Sequence, residues 1–551
     1  MDVLRMALSE NKLYGLTSLI IPVLCAFALF LISRASEPED GKRKKLPLPP
    51  GPKPFPFLGN IPQITPGKPW TFFDKICKDH NSPIAYLSMA GQPAIVLNTM
   101  EAAHELLVKR GTKYASRPRL IVAQDYLSLG RRPVLTEFSD RFKHQRTAYA
   151  RFLNPSVIRG LDVNQSLETK VLVAQLLEMG LDSMTENGEA LEMTSKRFTS
   201  SLVTTAGYGW RVGSVTDDWL VAMNKMVTEF IVSATPGAHL VDTFFSLDRL
   251  PTFIARWRIR ALHWQKETVR VYGFLLKDVQ ERMDKSEENA SESFGGYLIK
   301  DPINNGLDWL DKIFTVGNIF EAGTDTSAGA IQFFMYAMVC YPDVMRKAQS
   351  EIDHICGEQS PSADDIERLP YARAMVKETL RWRPPLPTNV PHASIATEDD
   401  EYLGYRIPAG SIIFPNAWGM SHNEKDFGPE TDQYKPERWL TRPTRNPLDM
   451  TEDIPAFGHG RRGCPGQQMA VHTLFLAQCN ILHKFDIVQK PGHKYDIDNI
   501  KPGFAVEPHA FPVAFVPRSE AKRELILKEH EEALKILKNW ERKEEGAPGV
   551  V

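Results

Sequence analysis

The 551-residue chain carries 66 Lys and Arg against 68 Asp and Glu, a formal net charge of -2, with 42% hydrophobic and 24% charged residues. That balance is ordinary for a globular enzyme with a large core, and it excludes any bulk attraction to nucleic acid or acidic ligands. Its 6 cysteines lie scattered without close pairs, which excludes a disulfide scaffold and fits a reducing compartment.

After residues 1–12, the stretch 13–32 (Leu13 to Ile32) is uncharged. As a helix, its length spans about 30 Å, the thickness of a bilayer's hydrocarbon core. A cleaved secretory signal is the competing reading, but the apolar run is long and no small-residue cleavage site follows. Arg34, Lys42, Arg43, Lys44, Lys45 and Lys53 outweigh Arg5 and Lys12 across this span. By the positive-inside rule the C-terminal body then faces the cytosol. Residues 33–60 read as a basic, Pro-rich linker, because Pro47, Pro49, Pro50, Pro52 and Pro54 enforce an extended, stiff path.

From 61 to 518 helical periodicity dominates, with strand-like pieces at Ile84–Leu87 and Ala94–Leu97. The expected fold is one large domain, mainly α with small β-sheets. Trp309 to Tyr341 lacks proline and predicts a helix about 45 Å long, ended by Pro342. At its centre, Glu321-Ala322-Gly323-Thr324-Asp325-Thr326-Ser327-Ala328-Gly329 collects weak helix formers. Thr and Ser there can bond back to an earlier carbonyl and open the ladder, leaving a widened turn beside an acid and a hydroxyl. Read alone, ordinary small-residue packing is the simpler account. Glu378 and Arg381 lie three apart on one helix face. Residues 519–551 form a charged helical tail in which Glu524 pairs with Lys528 and Glu531 with Lys535. Leu527, Leu534 and Leu537 give it only a thin apolar stripe, so it reads as a separate, solvated helix.

The strongest signal is Phe457-Gly458-His459-Gly460-Arg461-Arg462-Gly463-Cys464-Pro465-Gly466. A lone Cys in a Gly-rich turn is ordinarily an inert buried thiol. Here Gly460, Gly463 and Gly466 allow tight turns and close backbone approach. Backbone N–H groups can point at the sulfur and keep it a thiolate, and Arg462 offers a planar fork to a carboxylate. The arrangement suits one sulfur ligand presented to a large flat metal cofactor.

This loop resembles the haem-binding loop of the cytochrome P450 family, Phe-x-x-Gly-x-Arg-x-Cys-x-Gly, at Phe457, Gly460, Arg462, Cys464 and Gly466. The resemblance covers roughly residues 46–518 and is nearest to membrane-anchored eukaryotic members and fungal biosynthetic oxygenases. It implies the cytochrome P450 fold, with haem b (iron protoporphyrin IX) between the long central helix and the Cys loop, and Cys464 as the metal ligand. Ala322, Gly323, Asp325, Thr326 and Ser327 match the family's oxygen-activation motif. Resemblance assigns Thr326 to hold oxygen and its waters and Asp325 to relay protons. Glu378, Arg381 and Arg438 match a buried ionic lock behind the haem, with a bulkier but conservative Trp439 where Phe is frequent. Arg146 and His392 fall where the family contacts the haem propionates, although Phe142 cannot supply the indole donor found near the first.

The implied activity is a monooxygenase that inserts one atom of O2 into a small, mostly apolar organic substrate, a secondary-metabolite intermediate. The substrate pocket is expected from Arg119–Pro133, Phe230–Phe245, Phe320, Ala322, Pro385–Val390 and Gly503–Phe511. No Gly-rich dinucleotide fingerprint follows a strand, so electrons come from a separate NADPH–cytochrome P450 reductase, with cytochrome b5 as a further donor. The endoplasmic reticulum membrane is the expected location, with a single pass. An O2-independent haem-thiolate isomerase or dehydratase is one alternative, against which Asp325 and Thr326 count. A non-enzymatic membrane haem sensor is the other.

Overall fold

The computed structural model describes residues 46–180, 189–235, 237–300, 306–503 and 505–542. The anchor expected at Leu13–Ile32 lies outside these residues. Among the described residues, no helix is long and apolar enough to cross a membrane.

Strands β1 (Ile84–Met89) and β2 (Gln92–Leu97) form a hairpin in which Ile84 faces Leu97. Its tight turn places Ala90 and Gly91 at positive φ. Two distant strands complete this sheet: β3 (His392–Ala393) and β4 (Ile412–Pro415), in the order β1-β2-β4-β3. β4 runs parallel to β2, with Ala94 opposite Ile412, and antiparallel to β3, with His392 opposite Ile413. A second antiparallel pair, β5 (Phe485–Gln489) and β6 (Val513–Pro517), closes the C-terminal side.

The Pro-rich stretch is no free connector beyond residue 46. Tyr86 N–H donates to the Pro50 carbonyl at 3.0 Å and Arg406 N–H to that of Pro47 at 2.8 Å. Asn60 reaches the Pro52 carbonyl at 3.1 Å. Proline carbonyls stay available as acceptors although the ring removes the donor, so the segment can be tied down from one side.

Helices α1 (Asp140–Phe152), α2 (Pro155–Met179), α3 (Glu189–Tyr208), α4 (Asp218–Ala234) and α5 (Arg256–Asp284) precede α6 (Trp309–Cys340); α3 and α5 pack along it, α2 packs on α3 and α4 on α5. Capping explains several starts: the Ser139 hydroxyl accepts from Phe142 N–H, and Asn154 precedes Pro155 at the first helical position. Asp308 and Asp311 cap α6 reciprocally, and Arg131 pairs with each at 2.7 Å. At 32 residues, α6 is about 48 Å long. Pro342 opens the next helix after the Tyr341 cap, as the sequence predicts.

The expected opening at the centre of α6 is absent: the helix is α throughout. Gly323 has a packing reason instead. A Cβ there would lie 2.6 Å from Cγ1 of Val203 on α3, so the missing side chain lets the two helices close together.

Behind the site, α7 (Pro370–Trp382) carries Glu378 and Arg381, both fully buried and joined by two bonds of 2.8 Å. Arg438 Nε adds a third contact to Glu378 at 3.1 Å. Arg381 also donates to the carbonyls of Ser421, Thr431 and Gln433. Trp439 is more than a bulky stand-in for Phe, because its indole N–H donates to Glu378 at 2.9 Å. The buried carboxylate thus has bonds to both oxygens, which is what makes its desolvation tolerable.

α8 (Gln467–Lys484) follows the Cys loop, and α9 (Glu520–Leu537) is the last α-helix among the described residues. The tail is not separate and solvated. Ala533 and Leu537 are buried against Leu167 and Val171 of α2, and Ile526 joins the main core. Glu529 pairs with the buried Lys484 of α8 at 3.0 Å. The stripe that docks uses Ile526 and Ala533, while Leu527 stays half exposed. Ile526 and Ala533 therefore add to Leu534 and Leu537 a contact that a count of leucines understated.

Candidate functional site

The Cys464 loop is shaped before α8 begins. Gly458 and Gly460 take positive φ of 68° and 59°. At Gly460 a Cβ would sit 2.0 Å from the Leu107 carbonyl oxygen, so only glycine lets the loop lie against that segment. Cys464 N–H donates to the Phe457 carbonyl at 2.7 Å, which folds the loop back on itself. The sulfur sits just ahead of the α8 N-terminus, where backbone N–H groups favour negative charge. Burial pushes the Cys464 thiol up, while the Gly466 N–H and the Arg146 guanidinium pull it down.

Cys464 lines a large cavity together with Phe457, Gly458, Arg462 and Gly466 of the loop. Ala322, Gly323, Asp325 and Thr326 of α6 line the same space. Counting its open mouth, the empty volume is about 1990 Å³, room for a flat macrocycle and an organic molecule beside it.

Four cationic or basic side chains converge there. Arg462 donates to the carbonyls of Ala115 and Thr136, each at 2.6 Å, and its guanidinium lies 3.5 Å from the centroid of the Phe142 ring. Phe142 therefore serves as a platform for Arg462. Arg117 donates to the carbonyls of Val134, Val390 and Pro391, each at 2.9 Å. Arg146 and His392 line the same cavity. Burial, then Arg117 and Arg146, pull Arg462 down to about 8; burial and then Arg146 pull Arg117 down to about 9. Arg146 is likewise lowered by burial. A guanidinium keeps its proton in proteins, so these pulls measure crowded, desolvated positive charge that awaits anions. Burial and then Arg117 hold His392 neutral, with its Nδ1 2.9 Å from the Tyr114 carbonyl.

A macrocycle bearing two carboxylates and an iron fits this donor set. Cys464 supplies the soft ligand, and the arginines supply the counter-charge that the buried space otherwise lacks. Arg117 escaped the sequence reading because nothing distinguishes it from Arg119, two residues on, which is half exposed and pairs with Asp125 at 2.7 Å.

On α6, the Thr326 hydroxyl donates to the Ala322 carbonyl at 2.6 Å. Asp325 faces Lys196 of α3, with Nζ 3.8 Å from its Oδ1. Lys196 also meets Glu192 at 2.7 Å and Glu507 at 3.7 Å. The half-exposed Lys501 bridges Glu507 at 2.7 Å and Glu192 at 3.3 Å. Burial pushes the Asp325 carboxyl up; Lys196 pulls it back, and Glu507 and Glu192 add to the rise. This chain from cavity to solvent joins three segments distant in sequence, which is why no local pattern signalled it.

The pocket walls depart from the expected stretches in places. Pro133, Phe230, Ala322 and Pro385 line the cavity, but Ile319 does so in place of Phe320, which is buried in the core. Phe245 is half exposed. Leu202 and Val203 of α3 and Val227 of α4 contribute as well.

A family model described as Cytochrome P450 matches residues 49–515. The chain is 31% identical over 495 residues to a cytochrome P450 monooxygenase of Armillaria gallica, covering 88% of this chain and 92% of that one. It is 32% identical over 490 residues to cytochrome P450 monooxygenase 58 of Postia placenta, covering 86% and 90%. Cytochrome P450 monooxygenase aneD of Aspergillus aculeatus is 32% identical over 488 residues, covering 87% and 90%. With the thiol loop, the cationic cradle and the central helix assembled around one cavity, these likenesses show that the chain belongs to the cytochrome P450 family.

Proposed function

We propose that this chain is a haem-thiolate monooxygenase that inserts one oxygen atom from O2 into a mostly apolar organic molecule, the second atom leaving as water. The observation that carries the reading is that Cys464 and the Asp325–Thr326 pair line one cavity, although they lie on separate elements. When bound, haem with a thiolate ligand supplies the electron push that favours O–O cleavage. Arg117, Arg146, Arg462 and His392 would hold its propionates. Thr326 would position oxygen and water, and Asp325 would take protons from solvent through Lys196, Glu507, Glu192 and Lys501. Gaps of 3.7–3.8 Å along that route exceed a direct hydrogen bond and suit bridging water.

A pocket lined by Leu202, Val203, Val227, Phe230, Ile231 and Ile319 favours an apolar skeleton. The fungal relatives support assignment to secondary-metabolite oxidation. An NADPH–cytochrome P450 reductase, with cytochrome b5 as a further donor, would deliver the electrons at the endoplasmic reticulum membrane. Apolar side chains exposed between 240 and 259, Phe253 at 79% and Ile254 and Ile259 at over half, suit contact with that membrane.

The test has two parts. Reduced protein exposed to carbon monoxide is expected to give the red-shifted band of a thiolate complex, and Cys464→Ser is expected to abolish it. Microsomes supplied with reductase and fed extracts of the source organism are expected to yield a product heavier by one oxygen. Conversion without O2 consumption would favour the isomerase reading instead, and full turnover from NADPH without reductase would refute the partner.

A further inference from the structure

Where α6 meets the cavity, a buried ion pair stands short of hydrogen-bond geometry: Glu321 is in the cavity wall and Arg132 lies behind it, outside the lining. Glu321 lines the cavity with its side chain only 5% exposed, and Arg132, fully buried, approaches Glu321 Oε1 to 3.3 Å. Neither the two carboxylate oxygens nor the three guanidinium nitrogens makes a hydrogen bond. The hydroxyls of Tyr208 and Tyr272 lie near Glu321 without meeting hydrogen-bond geometry, although burial pushes the Glu321 carboxyl up and Tyr272 comes close enough to pull it back. Arg132 is fixed by stacking 3.9 Å from the ring centroid of Phe230, itself a wall of the cavity. Asn318, one turn before Glu321 on the same helix, adds an amide to the lining.

Buried polar groups are almost always hydrogen-bonded, because leaving one unmet costs its full desolvation. Several orphans around one carboxylate at the wall of a ligand cavity therefore indicate a missing partner. The proton route from Asp325 does not use them, and the propionate cradle is built from other arginines. Resting on the proposed monooxygenase reading, we infer that Glu321, held by Arg132 behind it, anchors a hydroxyl group of the substrate. The substrate class is then an alcohol on an apolar skeleton, a molecule already oxygenated once. At the wall, the Glu321 carboxylate accepts and the Asn318 amide can donate, which suits a group that both gives and takes a hydrogen bond. A carboxylate would face the Glu321 charge, and a bare hydrocarbon would leave every orphan unmet. The class of reaction that supplies this substrate is accordingly one that installs a hydroxyl, by hydration or an earlier oxidation.

Calorimetric titration of the holoprotein with two matched sets tests this: adamantane, 1-adamantanol and adamantane-1-carboxylate, and dodecane, 1-dodecanol and dodecanoate. In at least one set the alcohol is expected to bind about tenfold tighter than the hydrocarbon, as one hydrogen bond to a charged group provides. The double variant Arg132→Met/Glu321→Leu, which leaves no lone buried charge, is expected to erase that preference, and Glu321→Gln to retain most of it. No alcohol preference in either set, absence of binding, tightest binding by the carboxylate, or a preference that survives the double variant would each overturn the assignment. The carbon monoxide spectrum of the same samples separates this from failure of the haem-thiolate reading: a normal thiolate band with no alcohol preference sinks only the anchor.

Discussion

Thr326 already spends its hydroxyl proton on the Ala322 carbonyl, which leaves its oxygen lone pairs turned to accept from a water or to orient one. Replacing it with Ala removes a group at the cavity wall and nothing from the core, so haem content is expected to stay unchanged. Coupling is expected to fall, with more NADPH consumed per product and hydrogen peroxide released; unchanged coupling would refute the role. Lys196→Met interrupts the proposed proton path to solvent one residue back. It is expected to lower kcat about tenfold or more and raise the solvent isotope effect, with substrate affinity unchanged. That Cys464, Arg462, Asp325 and Thr326 meet at one cavity was legible because each sits in a contiguous pattern that resembles a family motif. The placing of Lys196, Glu507 and Arg117 was not, since their proximity to the site exists only after the chain folds.

At the level of single elements, the lock between α7 and the short helix Glu437–Thr441 gathers five donors on one buried carboxylate: Arg381 twice, Arg438, Trp439 and the backbone N–H of Lys435 just before it. Glu378→Leu strands two arginines and is expected to cost about 3–5 kcal/mol, read as loss of folded, haem-retaining protein. Trp439→Phe removes one donor and is expected to cost about 1–3 kcal/mol, seen as a lowered Tm. The tail helix adds an acid-sensitive contact. His483 of α8, held by burial at about 4, places its Nε2 2.8 Å from the Lys522 ammonium of α9. The free imidazole titrates near 6.5. Since the folded value lies below the unfolded one, the unfolded chain binds the extra proton first, and stability falls as pH drops from about 6.5 to about 4. The loss is on the order of 3 kcal/mol. His483→Gln is expected to flatten the pH dependence of Tm across that window. The existence of α9 could be read from its charge spacing, but its docking could not, because Ala533 becomes an anchor only when α2 offers Leu167 and Val171.

For the molecule as a whole, helical periodicity foretold a mainly α body, and the hairpin strands announced themselves through apolar runs. The parallel pairing of β2 with β4 left no trace in the sequence, because such a ladder is written half in one end of the chain and half in the other. The site depends on the same arrangement. Arg462 is held by the carbonyl of Ala115, 347 positions earlier, and Gly460 lies against Leu107. A ribosome that has finished only the first four hundred residues has therefore made part of a cradle, without Arg462 and with no sulfur to put in it. Pigment capture has to be a late event in the life of each molecule, after position 464 has left the ribosome. Nascent chains isolated on stalled ribosomes should be colourless, and cells short of haem should accumulate full-length apoprotein rather than truncated fragments.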